Sequence, residues 1–287
     1  MTQTGASAPL AIIGGGTMAR AIVRGGLDAG ILDPRLVAIC EPDEDRREFF
    51  RAWGVRAVES PGELGKWLED REPSPRAGQI LLAVKPQSLA EVGSQWSIRL
   101  DDADHAGRVV ISILAGSSSA KVREAMGGRV AVIRVMPNTP ASIRKGCSAV
   151  AIGAGAKLGD ESRAVDLFSA LGRVVRIDES LMDAFTALAG SGPAYVFYLA
   201  EAMTRAATEM GFDPQTAQDI ARWTIAGSGL LLEQSDQTPA VLRAAVTSKG
   251  GTTAAATASL DGANVREAFA TAIQAARDRA RAMSQDS

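Results

Sequence analysis

Histidine is almost missing from this chain of 287 residues: His105 is its one copy, in the polar stretch 101–108. That setting reads as a solvated loop. A Ser-His or Cys-His catalytic pair would have to draw on this one residue, which argues against such chemistry. Cysteine is scarce as well. Cys40 and Cys147 lie far apart with no C-x-x-C spacing, so the sequence offers no metal site built from His and Cys. Lysine nearly disappears after residue 178, where Lys249 stands alone. No apolar run approaches the ~18 residues of a membrane span. The opening "MTQTGASAPL" has neither the basic region nor the apolar core of a secretory signal, so a cytosolic location is expected. A formal net charge of −2 gives no electrostatic case for nucleic acid or an anionic membrane as partner.

What is present is a soluble-type composition and enough length for one large domain or two ordinary ones. Up to residue 177, short β-branched runs alternate with helical stretches. Strands are expected at 10–13, 36–40, 79–84, 109–114, 130–135, 148–152 and 174–177, and helices at 17–29, 44–53, 87–96, 118–126 and 160–171. The strand runs are apolar throughout, as in a parallel sheet buried on both faces. Residues 71–78 read as a surface loop. The first half thus reads as a doubly wound, Rossmann-like α/β domain over 8–177. After 178 the strand signal stops and an all-α domain, 178–287, is expected. Pro193, Pro214 and Pro239 suit first helical turns, Asp213 and Thr238 suit N-caps, and Gly211 closes a helix. Helices rich in alanine and small residues pack closely, which leans toward dimerisation and fits a self-contained helical domain nearly as well.

The stretch "LAIIGGGTMARAI" places Gly14, Gly16, Thr17 and Met18 between a strand and a helix in the pattern G-x-G-x-x-A. The first glycine makes the tight turn, the second admits a pyrophosphate, and Ala19 lets helix pack on strand. Glu41, at the end of the next strand, suits the hydroxyls of an adenosine ribose and leans toward NADH. Arg46 or Arg47 could meet a 2′-phosphate, so the cofactor is read as NADPH or NADH.

A second glycine turn lies near the other end, in "VTSKGGTTAAATASL" (246–260). A glycine-hydroxyl turn opening a helix favours an anion through free N–H groups and the helix dipole. Hydride transfer to a carbonyl usually wants a positioned His or Lys, whereas a protonated C=N is already electrophilic. The scarcity of both residues favours an imine. β-Hydroxyacid dehydrogenases share the two-domain plan but use a lysine on a helix of the second domain, and no predicted helix there carries one.

Six motifs in order, "IIGGGTMARAI", "LLAVKPQ", "VISILAGSS", "RVMPNTPASIRKG", "ALAGSGPAYVF" and "VTSKGGTTAAA", make the chain similar to the pyrroline-5-carboxylate reductases from about residue 10 to about residue 281. The resemblance implies a helical half that intertwines with a second subunit. It also implies NAD(P)H-dependent reduction of L-1-pyrroline-5-carboxylate to L-proline, the last step of proline biosynthesis. Carried onto this sequence, Ala83, Val84, Lys85 and Pro86 match a cofactor-contacting segment, its loop fixed by a cis or tight X-Pro turn. Ala115 and Gly116 offer bare backbone to the nicotinamide half, and Asn138 suits the carboxamide or nearby substrate. Thr186 matches a threonine facing the ring nitrogen, able to relay a proton, and Glu179 matches a substrate-associated position. Ser248, Gly250, Gly251, Thr252 and Thr253 match the loop that grips the substrate carboxylate. Two departures stand out: Lys249 replaces a common proline, and Ser60-Pro61 stands where an asparagine often occurs near the ribose. The alternatives are a related cyclic imine reductase and a non-catalytic dinucleotide sensor.

Overall fold

The computed structural model describes residues 8–71, 78–100 and 108–286. His105, the N-terminal residues 1–7 and the core of the expected loop at 71–78 lie outside them. Backbone contacts group the chain into two compact units, Met1–Gly190 with Ala276–Ser287, and Ser191–Ala275.

In the first unit the strands are β1 (Leu10–Ile13), β2 (Val37–Cys40), β3 (Arg56–Val58), β4 (Gln79–Leu82), β5 (Val109–Ser112), β6 (Ala131–Met136), β7 (Gly146–Ile152) and β8 (Gly172–Arg176). They form one sheet in the order β3-β2-β1-β4-β5-β6-β7-β8. Strand order reverses at β1, which pairs with β2 on one side and β4 on the other, the arrangement that opens a ligand crevice at the carboxyl ends. Neighbours run parallel with one correction to the sequence reading: β6 and β7 are antiparallel. The connection 137–145 carries only a short 3-10 segment, Thr139–Ile143, where a parallel return needs a long crossover.

The helices α1 (Thr17–Asp28), α2 (Glu44–Arg51), α3 (Pro61–Glu69), α4 (Leu89–Leu100), α5 (Ser119–Ala125) and α6 (Ser162–Ser169) cover both faces. Successive strand residues point to opposite faces. Leu10 and Ile12 therefore join a core with Ile22 and Val23 of α1, Phe50 of α2 and Phe168 of α6. Ala11 and Ile13 join another with Leu64 and Trp67 of α3, Val92 of α4 and Val122 of α5. The doubly wound reading holds. β3 and α3 were not expected from the sequence. β3 is a three-residue edge strand with Arg56 exposed, too short for a pattern.

The sheet is followed by α7 (Met182–Phe185), which runs into a π-helical turn, Thr186–Gly190. The second unit holds α8 (Gly192–Glu209), α9 (Pro214–Gln234), α10 (Pro239–Ala245), α11 (Thr252–Gly262) and the start of α12 (Val265–Asp286). The three prolines sit in first turns as expected. Asp213 accepts N–H bonds from Gln215 and Thr216, and Thr238 one from Val241. Gly211, at φ +101°, closes α8. Between α8 and α9 only small side chains are buried, Ala207, Ala217 and Ala221. Phe197, Tyr198 and Trp223 stay 61%, 73% and 74% exposed. Large exposed apolar side chains are common at association surfaces.

Candidate active site

The first glycine turn is welded to the sheet. Gly14 takes φ +101°, and a Cβ there would lie 2.7 Å from the Ala83 carbonyl oxygen. Its N–H donates to the Cys40 carbonyl at 2.9 Å, while the Ala83 N–H donates to Ile13 at 2.8 Å. Glycine is required because three strand ends converge here. Gly16 differs: a Cβ would meet nothing within 4 Å. It is the N-cap of α1 and no side chain caps that helix. The open approach and the free N–H groups of the first turn fit a pyrophosphate. Thr17 is exposed at that turn, and Met18 packs against the core.

Glu41 is 5% exposed. Its carboxylate accepts the Gly15 N–H at 2.7 Å and the Asp43 N–H at 3.1 Å, which folds it onto the glycine loop. Arg47 is engaged below it, donating to the carbonyls of Glu41 (2.6 Å) and Pro42 (2.7 Å) and pairing with Glu44. Arg46 is exposed and lies 3.9 Å from Glu41 and 3.8 Å from Asp43. Burial, with Glu41 and Glu63 nearby, pushes the Cys40 thiol up to about 12, so it carries no thiolate chemistry.

At the end of β4, Ala83 and Val84 lie beside the first turn and Lys85 is exposed. Pro86 opens a 3-10 turn closed by a Ser88 N–H to Lys85 carbonyl bond of 2.9 Å. Among the described residues every peptide bond is trans, so the tight turn rather than a cis bond fixes this loop. After β5, Ala115 is half-buried and Gly116 buried at φ +70°. The bare face of Gly116, expected to lie against the nicotinamide half, faces Met283 of α12, and a Cβ there would lie 3.1 Å from Met283 Cβ.

The π turn is braced from two sides. Asn138 Nδ2 donates to the Ala189 carbonyl at 3.0 Å, and its Oδ1 accepts the Cys147 N–H at 2.9 Å. Both ends of the amide thus tie the β6 exit to β7 and to the turn. A Cβ on Gly190 would sit 2.8 Å from Met136 Cε. Thr186 Oγ1 donates to the Met182 carbonyl at 2.8 Å, which engages its proton and leaves its lone pairs free. Such π turns concentrate at functional sites.

Glu179 precedes this turn and holds it down. Its carboxylate accepts the Ser119 N–H (2.8 Å), the Ser119 hydroxyl (2.5 Å) and Arg134 (3.1 Å). Burial pushes its pKa up, but the Ser119 bonds and Arg134 outweigh burial and hold it below the usual range. Sequence reading missed Arg134 and Ser119. The usable signal was an arginine inside the otherwise apolar run 130–135, since a buried charge demands a partner.

The second glycine turn lies in the second unit. The Gly251 N–H donates to the Ser248 carbonyl at 3.0 Å, closing a β-turn with Gly250 at φ +73°. Gly251 is the N-cap of α11, with no side chain capping the helix. A Cβ on Gly251 would lie 2.4 Å from Ser248 Oγ. Ser248, Lys249, Gly250 and Thr252 are exposed and Thr253 is half-buried. An uncapped helix start lined by hydroxyls suits a carboxylate.

Residues 179–283 match the family described as pyrroline-5-carboxylate reductase dimerisation, and residues 9–116 the family described as NADP oxidoreductase, coenzyme F420-dependent. A pyrroline-5-carboxylate reductase of Haemophilus influenzae is 36% identical over 276 residues, 96% of this chain and 97% of that protein. The structure of a pyrroline-5-carboxylate reductase from Coxiella burnetii superposes with a TM-score of 0.85 at 30% identity, covering 97% of this chain and 99% of that one. That of Plasmodium falciparum pyrroline carboxylate reductase, with NADP bound, gives 0.80 at 26% identity, covering 98% and 100%.

Proposed function

The chain belongs to the pyrroline-5-carboxylate reductase family, and we propose that its two glycine turns divide the family's reaction, one for cofactor and one for substrate carboxylate. The reaction is reduction of the C=N bond of L-1-pyrroline-5-carboxylate to L-proline with NADH or NADPH, the final step of proline biosynthesis. The chain self-associates, as a dimer at least, through its helical half. We assign residues 8–177 to dinucleotide binding and 178–287 to substrate binding and dimerisation, and place the enzyme in the cytosol.

When bound, the reduced nicotinamide supplies the hydride. Gly14 shapes the turn, and Gly16, Thr17 and Met18 present the N–H groups that hold the pyrophosphate. Glu41 takes the adenosine ribose. Ala83, Val84, Lys85 and Pro86, with Ala115 and Gly116, form the rim at the carboxyl ends of β4 and β5. Asn138 steadies the π turn beside them. In the second unit, Ser248, Gly250, Gly251, Thr252 and Thr253 hold the carboxylate. Thr186 serves the ring nitrogen. Because its own proton is donated to Met182, its lone pairs suit the N–H of a protonated imine, and proton relay requires the hydroxyl to rotate away from that carbonyl. A protonated imine is already polarised, so orientation suffices where a carbonyl would need an acid. Glu179 positions the turn through Ser119 and Arg134.

One observation carries this assignment: 36% identity runs through 96% of the chain, both turns included. The test is oxidation of reduced nicotinamide by purified protein with pyrroline-5-carboxylate and with a six-membered cyclic imino acid. Turnover favouring the five-membered ring is expected. Preference for the larger ring points to a related imine reductase, and nucleotide binding without turnover points to a sensor.

A further inference from the structure

We propose that Glu41 makes this enzyme selective for NADH by excluding the 2′-phosphate of NADPH. The inference rests on the cofactor reading above and sharpens it. In a doubly wound sheet the residue ending β2 meets the adenosine ribose, and an acid there accepts its hydroxyls. Here that acid is fixed: the Gly15 and Asp43 N–H groups hold the carboxylate at 2.7 and 3.1 Å in a pocket that leaves it 5% exposed. The bare Gly15 makes room for it there, since a Cβ on Gly15 would lie only 2.9 Å from Glu41 Cγ and Oε2. A 2′-phosphate brings about −2 of charge to a ribose position beside this carboxylate.

The cations that could offset it are poorly placed. Arg47 is 7% exposed and points away, donating to the carbonyls of Glu41 and Pro42 and pairing with Glu44. Arg46 is the free candidate, but it lies 3.9 Å from Glu41 and 3.8 Å from Asp43, where two carboxylates already draw on it. Ser60, after β3, caps α3 by accepting the Glu63 N–H at 3.3 Å, and Glu63 itself adds a negative charge to that turn. The neighbourhood therefore holds Glu41, Asp43, Glu44 and Glu63 against three arginines, of which Arg47 is engaged by the carbonyls of Glu41 and Pro42 and by Glu44, and Arg51 by Glu44 and Glu48.

The test is calorimetric titration of the full-length enzyme with NADH, NADPH, and the fragments adenosine 5′-diphosphate and its 2′-phosphorylated counterpart, alongside kcat/KM for both cofactors. NADH should bind at least about tenfold more tightly than NADPH, and the unphosphorylated fragment should win by a similar factor, the size expected of one like-charge contact at a partly screened site. Glu41→Ser should bring the two cofactors within about threefold by raising affinity for NADPH. Equal or tighter NADPH binding by the unmodified enzyme overturns the proposal, as does an unchanged ratio in Glu41→Ser. A selective loss of NADPH binding in Arg46→Ala overturns it too, by showing that Arg46 serves the phosphate. Failure of both cofactors to bind removes the cofactor reading itself along with the selectivity.

Discussion

The two glycine turns look alike in sequence and are made for different reasons. At the first, glycine is imposed by the fold: Gly14 touches Ala83 and Gly15 touches Glu41, so each missing side chain is a packing contact with another strand end. At the second, Gly250 faces open space and needs glycine only for its left-handed backbone, while Gly251 is restricted by its own neighbour, Ser248. A turn bound into a core contributes to stability and cofactor binding together. A turn that stands on its own hydrogen bonds can be changed with consequences confined to what it binds.

The largest expected effect follows from that contrast. Gly14→Ala forces an unfavourable left-handed conformation, costing about 1–2 kcal/mol, and drives a methyl against a backbone carbonyl, costing about 1–3 kcal/mol more. Thermal unfolding should show a drop of several degrees, and cofactor titration a weakened complex. Gly251→Val should leave melting and cofactor affinity nearly unchanged while raising the KM for pyrroline-5-carboxylate by about tenfold or more, a loss of binding rather than of chemistry. Parallel loss of both affinities in that variant would erase the distinction between the turns.

Between these two sits the π turn. Thr186→Val keeps the shape and removes the hydroxyl, and kcat should fall by about tenfold. A kcat unchanged across pH would remove Thr186 from the mechanism. The smallest effect belongs to Glu179. Its pKa is held below the ordinary range, so its contribution is full above the unfolded value of about 4.3 and is lost as pH falls through the folded value. Melting temperatures of Glu179→Gln and the unmodified enzyme should differ at pH 7, by about 1 kcal/mol in stability, and converge in acid. A gap that persisted in acid would mean that charge is not what the Ser119–Arg134 pocket recognises.

How much of this was legible depended on whether the signal was local. The apolar runs at 10–13 and 109–114 announced buried strands, and Asp213-Pro214 and Thr238-Pro239 announced helix starts, because cap and first turn are neighbours in sequence. The reversed direction of β7 was legible only through the connection 137–145, too short for a crossover. Contacts between distant residues were not readable. Asn138 looked like a ligand-binding amide, yet its oxygen and nitrogen meet Cys147 and Ala189. Gly116 looked like a bare approach for cofactor, yet Met283 lies across it. The direction of the Glu41 side chain, folded onto Gly15, follows from the packing of β1 against β2 and leaves no trace in spacing.

The division of labour between the turns is tested most directly by a crystal structure of the enzyme with nicotinamide cofactor and proline. The expected density has the proline carboxylate on the N–H groups and hydroxyls of residues 248–253 and the cofactor pyrophosphate on residues 14–18. A carboxylate bound elsewhere, or a pyrophosphate at the second turn, contradicts it.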